Sequence, residues 1–177
     1  MEYLRLLPYH NLTRWLVLLT ALWALIQAWH GLARDRIWTR RDGLAGLTFT
    51  TVANIQFLLG LALYVTSPNV KPLFAAPAYA LSSGMAFFLT TFHPSLMFLA
   101  VGLAQAVYSV SKRLSDDRSR FRWAAYGYSL VVALMLAAIP WPPYSFGRPL
   151  FRPFVLNAEQ ANGQVFLSVT VNQRRLR

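Results

Sequence analysis

The sequence predicts an all-α integral membrane protein, a four-transmembrane-helix bundle, and two observations predict it. Four long apolar runs follow one another in a chain of 177 residues. Two short Arg-rich loops, 33–43 and 111–122, divide the first run from the second and the third from the fourth, and hold nine of the seventeen Lys and Arg residues. A spanning helix needs about 20 mostly apolar residues, because the hydrocarbon core is roughly 30 Å thick and each residue rises about 1.5 Å. Residues 12–32, 44–66, 84–110 and 123–139 meet that requirement. Soluble helices of this length would carry a charged stripe, which these runs lack.

The first run bears Arg14 near its start and then only Gln27 and His30 as strongly polar side chains. No small-residue cleavage site closes it, so it reads as a retained helix rather than a removed signal. The second and third runs contain no charge. The fourth is the shortest and stops at Pro140. Residues 1–150 form the transmembrane domain in this reading, and residues 151–177 form a tail.

Orientation follows from the loops. Arg34, Arg36, Arg40 and Arg41 lie in one Arg-rich loop, and Lys112, Arg113, Arg118, Arg120 and Arg122 in the other. The connection 67–83 carries only Lys71. Basic loops stay in the cytoplasm and meet anionic lipid there. The expectation is a multi-pass protein of the bacterial cytoplasmic (inner) membrane with both termini outside. Its nine loop cations act as topological anchors and lipid contacts. The net charge of +11 is accounted for in this way, and no basic patch interleaved with aromatics points to nucleic acid.

The loop 67–83 holds Pro68, Pro72 and Pro77 and reads as irregular chain at the interface. After the fourth span, Trp141, Tyr144 and Phe146 fit an aromatic belt. In the tail, Asn162-Gly163 is a turn signal before β-branched residues 164–172. That stretch reads as a single strand needing a partner, and Gln164, Val165, Phe166, Leu167, Ser168, Val169 and Thr170 are its candidate interaction residues.

Polar residues inside spans mark function. His93 precedes Pro94, which frees a carbonyl one turn earlier, near Thr90. Met97, Ala100 and Ala104 share its helix face, a pattern that suits either helix packing or a slot for a flat cofactor. His10 comes just before the first span on the same side of the membrane, so His10 and His93 are the candidate cofactor ligands. Haem b held by both imidazoles is the sharp reading, and a purely structural role for each is the plain one. His10 and His30 lie on nearly opposite helix faces at about 100° per residue and cannot share a ligand. Asn54, Gln56, Gln27 and Gln105 read as interhelical hydrogen bonds. Gly60, Gly102 and Ala106 read as small contact surfaces.

Other chemistry is excluded by what is missing. The chain has no cysteine, which removes disulfides, iron–sulfur clusters, covalent haem c and thiolate zinc sites. No Ser-His-Asp grouping, phosphate loop or HExxH motif occurs, and no span carries Asp, Glu or Lys, so neither an enzyme nor an ion-coupled pump has its usual parts.

His10-Asn11-Leu12-Thr13-Arg14-Trp15, Gln56-Phe57-Leu58-Leu59-Gly60 with Leu63-Tyr64, His93-Pro94-Ser95-Leu96-Met97, Ile139-Pro140-Trp141-Pro142 and Arg148-Pro149 resemble a family of small bacterial four-helix membrane proteins loosely labelled cytochrome-b-like. The resemblance covers roughly residues 9–150. Family members tend to carry an acidic residue before the His-Pro pair, where this chain has Phe92. They also tend to carry a second histidine near the inner end of the third span, where it has Ala104-Gln105-Ala106. Where the family binds haem through that second histidine, the resemblance implies that this chain has lost the site. The leading expectation is therefore a non-catalytic accessory subunit of a larger electron-transport or photosynthetic assembly. A quinol-oxidising alternative complex III is the host that reading prefers. Its partners are other membrane subunits and lipid, and it requires no cofactor. A small haem-b electron-transfer protein is the alternative.

Overall fold

The computed structural model describes residues 2–82, 84–143 and 147–151. Within them the chain forms four helices long and apolar enough to cross a membrane, linked by short connections. The candidate strand 164–170 lies outside the described residues.

α1 runs from Glu2–Ala33 and α2 from Arg40–Thr66. The short helices α3 (Lys71–Phe74), α4 (Pro77–Ser82) and α5 (Gly84–Phe87) follow. A π-helical turn, Phe88–Phe92, leads into α6 (His93–Arg113), and α7 (Asp117–Ala138) completes the bundle. The principal contacts run α1 to α2, α2 to α6, α6 to α7 and α7 to α1, a closed ring. Short links between successive spans make neighbours antiparallel. The N-terminus of α1, the C-terminus of α2, His93 and the C-terminus of α7 therefore meet at one end. The Arg-rich links meet at the other.

Capping explains where the helices begin and stop. Asp42 accepts from the Thr39 backbone N–H at 2.8 Å and from the Thr39 hydroxyl at 2.6 Å. This reciprocal cap starts α2 four residues before the expected apolar run. Asp116 accepts from the Ser119 N–H at 2.7 Å and starts α7, and those bonds hold its carboxyl below the usual carboxylate range. At the end of α1 the Arg36 N–H reaches the Gly31 carbonyl at 3.1 Å, with Asp35 at φ 45°. This is a Schellman closure with aspartate in the left-handed position that glycine usually takes. Asp35 also pairs with Arg118, which ties the two Arg-rich links together.

Two expectations need correction. α1 begins ten residues before the expected span, so His10 sits inside a helix rather than ahead of it. Leu4, Leu6 and Leu7 are good helix formers, and the helix continues through Pro8, whose ring leaves the Leu4 carbonyl without its usual N–H partner. The Pro-rich connection is not irregular throughout: Pro72 and Pro77 fall in the first turns of α3 and α4, where a missing N–H costs no helical bond.

Small residues close the bundle. Ala21, Ala24 and Ala28 of α1, Ala45 and Ala53 of α2, Ala100 and Ala104 of α6, and Ala124 and Ala125 of α7 are all buried. Helices in lipid gain nothing from burying leucine, and association rests on close backbone approach instead. Leu16, Leu19, Leu22 and Ile26 accordingly face outward. Gly102 and Ala106, expected as contact surfaces, point away from the bundle, and nothing lies within 4 Å of a Cβ placed on Gly102. Gly127 is different: a Cβ there would meet Val107 Cγ2 at 2.4 Å. Val107 is buried and β-branched, so it has no other rotamer to retreat to. Gly127→Ala is expected to cost about 1–3 kcal/mol through overpacking, with Gly102→Ala near neutral, measured as thermal unfolding in detergent.

Candidate functional site

A cavity of about 530 Å³ opens among α1, α2, the π-helical turn, α6 and the segment after α7. That is within the usual range for small-molecule sites, about 300–1,000 Å³. His10 and His93, 83 positions apart in the chain, both line it. The two imidazoles lie within electrostatic range of each other.

His93 is placed by a backbone irregularity. Pro94 has no N–H to bond the Thr90 carbonyl, so the helix widens into a π turn in which the His93 N–H reaches Phe88 instead. Such turns are rare and concentrate at functional sites. The freed Thr90 carbonyl accepts from the Tyr64 hydroxyl of α2 at 2.8 Å. The sequence located the orphan carbonyl, but Tyr64 as its partner is new. His93 Nδ1 lies 2.7 Å from the Ala138 carbonyl at the end of α7. A carbonyl only accepts, so Nδ1 carries a proton and the neutral ring keeps its lone pair on Nε2. This is the backbone bond that orients metal-ligating histidines.

His10 is held from α2. Gln56 donates to the His10 carbonyl at 3.0 Å, and its amide nitrogen lies 3.4 Å from His10 Nε2. The Gln56 oxygen accepts from the Thr13 hydroxyl. His10 Nδ1 is buried without a hydrogen-bond partner among the described residues. Gly60 makes room for the ring, since a Cβ there would lie 3.1 Å from His10 Cε1. Gly60 is thus a contact surface, but for an imidazole rather than a helix.

The segment after α7 folds back over α1. Asn11 donates to the Pro149 carbonyl at 3.1 Å, while Arg14 Nη2 and Trp15 Nε1 reach the Leu150 carbonyl at 2.7 and 3.1 Å. Phe151 stacks on Trp15 with ring centroids 5.4 Å apart. This strap brings Arg148 to the cavity that Arg14 also lines, and among the described residues no carboxylate lines it. Sequence reasoning named Arg148 and Arg14 in motifs without assigning either to a site. Their long-range meeting has no local signal.

Met97 lines the cavity, but Ala100 and Ala104 on the same helix face are fully buried in the helix contact. One face thus serves both packing and a ligand slot. Of the polar residues proposed as interhelical bonds, Gln56 is one. Gln27 is another, accepting from Arg41 Nε at 3.0 Å once its amide oxygen is turned toward the donors. His30 lies at the opposite end, 3.2 Å from Arg36. Of the nine loop cations, Arg36 pairs with the buried Asp42 at 3.2 Å and Arg120 with Asp117 at 3.6 Å.

Among the described residues, no group of three or more His, Asp or Glu could hold a bare metal ion. A haem, by contrast, would need only one or two side-chain ligands from the protein. His93, with an oriented Nε2, and His10, which shares the cavity, are the residues that would hold it. The 3.4 Å contact at His10 Nε2 is the weakest bond Gln56 makes. Comparison with family models, curated proteins and solved structures finds no match.

The Tyr64–Thr90 bond yields a double-mutant test. Tyr64→Phe is expected to cost about 0.6–1.7 kcal/mol, the range of interhelical bonds in lipid. Pro94→Ala restores an N–H for the Thr90 carbonyl, so the Tyr64→Phe cost should shrink in that background. Equal costs in both backgrounds, read by unfolding in detergent, would show that the bond does not serve the proline gap.

Proposed function

We propose that this chain binds haem b between His10 and His93 and passes single electrons within a larger electron-transport assembly of the bacterial cytoplasmic membrane. The observation that carries the reading is the convergence of the two imidazoles on one cavity, with His93 already oriented through Nδ1. A packing role alone gives no reason for a cavity that also gathers Arg14 and Arg148. When bound, the haem supplies the one-electron couple, and the protein supplies position and electrostatics. His93 would ligate through Nε2 and His10 through the nitrogen now facing Gln56. Arg14 and Arg148 would hold carboxylate groups at the rim, as guanidinium forks do. The apolar remainder, including Phe57, Phe88 and Val101, excludes water.

The charge pattern supports this reading, since it favours the Arg-rich links in the cytoplasm and the cavity toward the outer surface. A second reading, the non-catalytic accessory subunit of such an assembly, keeps one specific observation in its favour. Ala104 is fully buried, so the position near which related sequences carry another histidine has no space for one here.

The two readings separate by absorption. The protein purified from haem-replete membranes in mild detergent should show a Soret band and a reduced-minus-oxidised α-band at about one haem per chain. His93→Ala should abolish both, and His10→Ala should convert the spectrum to a five-coordinate form or remove it. Haem-free protein that co-purifies in stoichiometric amounts with larger subunits would overturn the haem proposal in favour of the accessory role.

A further inference from the structure

The Arg-rich end holds a second cavity, of about 340 Å³, between α2, α6 and α7. Arg40 from the start of α2, Lys112 from the end of α6 and Arg120 from the first turn of α7 all line it. Its one carboxylate, Asp42, is already committed: it takes the Thr39 cap and pairs with Arg36 at 3.2 Å. Arg120 is shared with Asp117 at 3.6 Å. Arg40 and Lys112 form no ion pair among the described residues, so the cavity carries excess positive charge. Lys112 Nζ sits 5.9 Å from the centre of the Tyr108 ring, which sets it against the cavity wall.

The cavity also contains an uncommitted donor. Tyr128 is 3 % exposed, yet its hydroxyl makes no hydrogen bond among the described residues. That hydroxyl points at Gly46, where a Cβ would lie only 2.5 Å from it. Tyr128 lines the same space as Arg40, Lys112 and Arg120, so its hydroxyl is available to a ligand there. On the lipid side the cavity ends at Leu44 and Leu47, which are 42 % and 41 % exposed. Cationic groups and a donor at one end, with an apolar exit at the other, match an amphipathic anion.

We propose that this cavity binds the phosphate of an anionic glycerophospholipid, with Arg40 and Lys112 pairing the oxyanion, Tyr128 donating to it, and an acyl chain leaving along Leu44 and Leu47. Basic pockets between spanning helices on the cytoplasmic side recognise such headgroups. The inference does not depend on what fills the histidine cavity.

Native mass spectrometry tests it, using the full chain released from nanodiscs of mixed phosphatidylcholine and phosphatidylglycerol. Wild-type protein should retain phosphatidylglycerol in preference to phosphatidylcholine. Arg40→Gln with Lys112→Gln should reduce that retention roughly tenfold or more, as expected for two lost cations near the headgroup. Arg34→Gln with Arg113→Gln removes the same charge outside the cavity and, as loss of surface lipid contacts only, should reduce retention far less. Tyr128→Phe deletes a single hydroxyl and should reduce retention several-fold with helicity intact, which keeps the test informative if the double variant misfolds. Equal losses in both charge pairs, or none in either, would overturn the site. Inorganic phosphate that binds the detergent-solubilised protein as tightly as the lipid and displaces it would assign a free phosphate and overturn the lipid.

Discussion

Hydrocarbon offers no water to pair a peptide group, so every backbone donor and acceptor in a span must find a partner inside the protein. The third span breaks that rule at Pro94 and then repairs it. Without an N–H at Pro94 the Thr90 carbonyl is orphaned, the helix widens into the Phe88–Phe92 turn, and Tyr64 reaches across from α2 to satisfy the carbonyl. This repair decides which way His93 points. With the ring fixed, its Nδ1 meets the Ala138 carbonyl, itself freed because α7 stops there. A single proline thus links α2, α6 and α7 and leaves Nε2 as the reactive atom. In water the same gap would have been filled by solvent, with no consequence for neighbouring helices.

The two ends of the bundle are built on different principles. Toward the Arg-rich end, alanines such as Ala45, Ala124 and Ala125 bring the backbones together, and charged networks such as Asp42–Arg36 close the surface. Toward the histidine end, the lining residues are larger and the helices enclose space instead of filling it. Gly60 is where these principles meet: a small residue on α2 that admits the His10 imidazole. Functional cavities in spanning bundles arise where irregular backbone lines them, and the π turn supplies that irregularity here.

Much of this was legible in the residues. Hydropathy located four spans, because the bilayer fixes element length so tightly. The His-Pro pair exposed the orphan carbonyl, and the parity of passes placed both candidate histidines at one end. Three features escaped. The short helices around Pro72 and Pro77 depend on position within a turn, where proline is harmless, rather than on composition, and the early start of α1 runs through Pro8, which composition alone reads as a breaker. The strap from Arg148 to Phe151 depends on backbone carbonyls of Pro149 and Leu150, whose identity as acceptors leaves no trace in side-chain type. Tyr64 carried no signal beyond its place in a short motif, and only the fold shows its hydroxyl bonded to the Thr90 carbonyl.

Charge is the last constraint on the histidine cavity. Among the described residues, two guanidiniums, Arg14 and Arg148, line a mostly apolar space. Cations at this depth are expensive, and they persist in spans where something offsets them. Backbone carbonyls do part of this, as Leu150 does for Arg14 at 2.7 Å. Under the haem proposal, propionates would meet the same arginines and the iron the imidazoles, so one ligand would engage both kinds of side chain. His10 and His93 would hold the iron, and Arg14 and Arg148, from the first helix and the segment after α7, would fix the ligand's orientation between them.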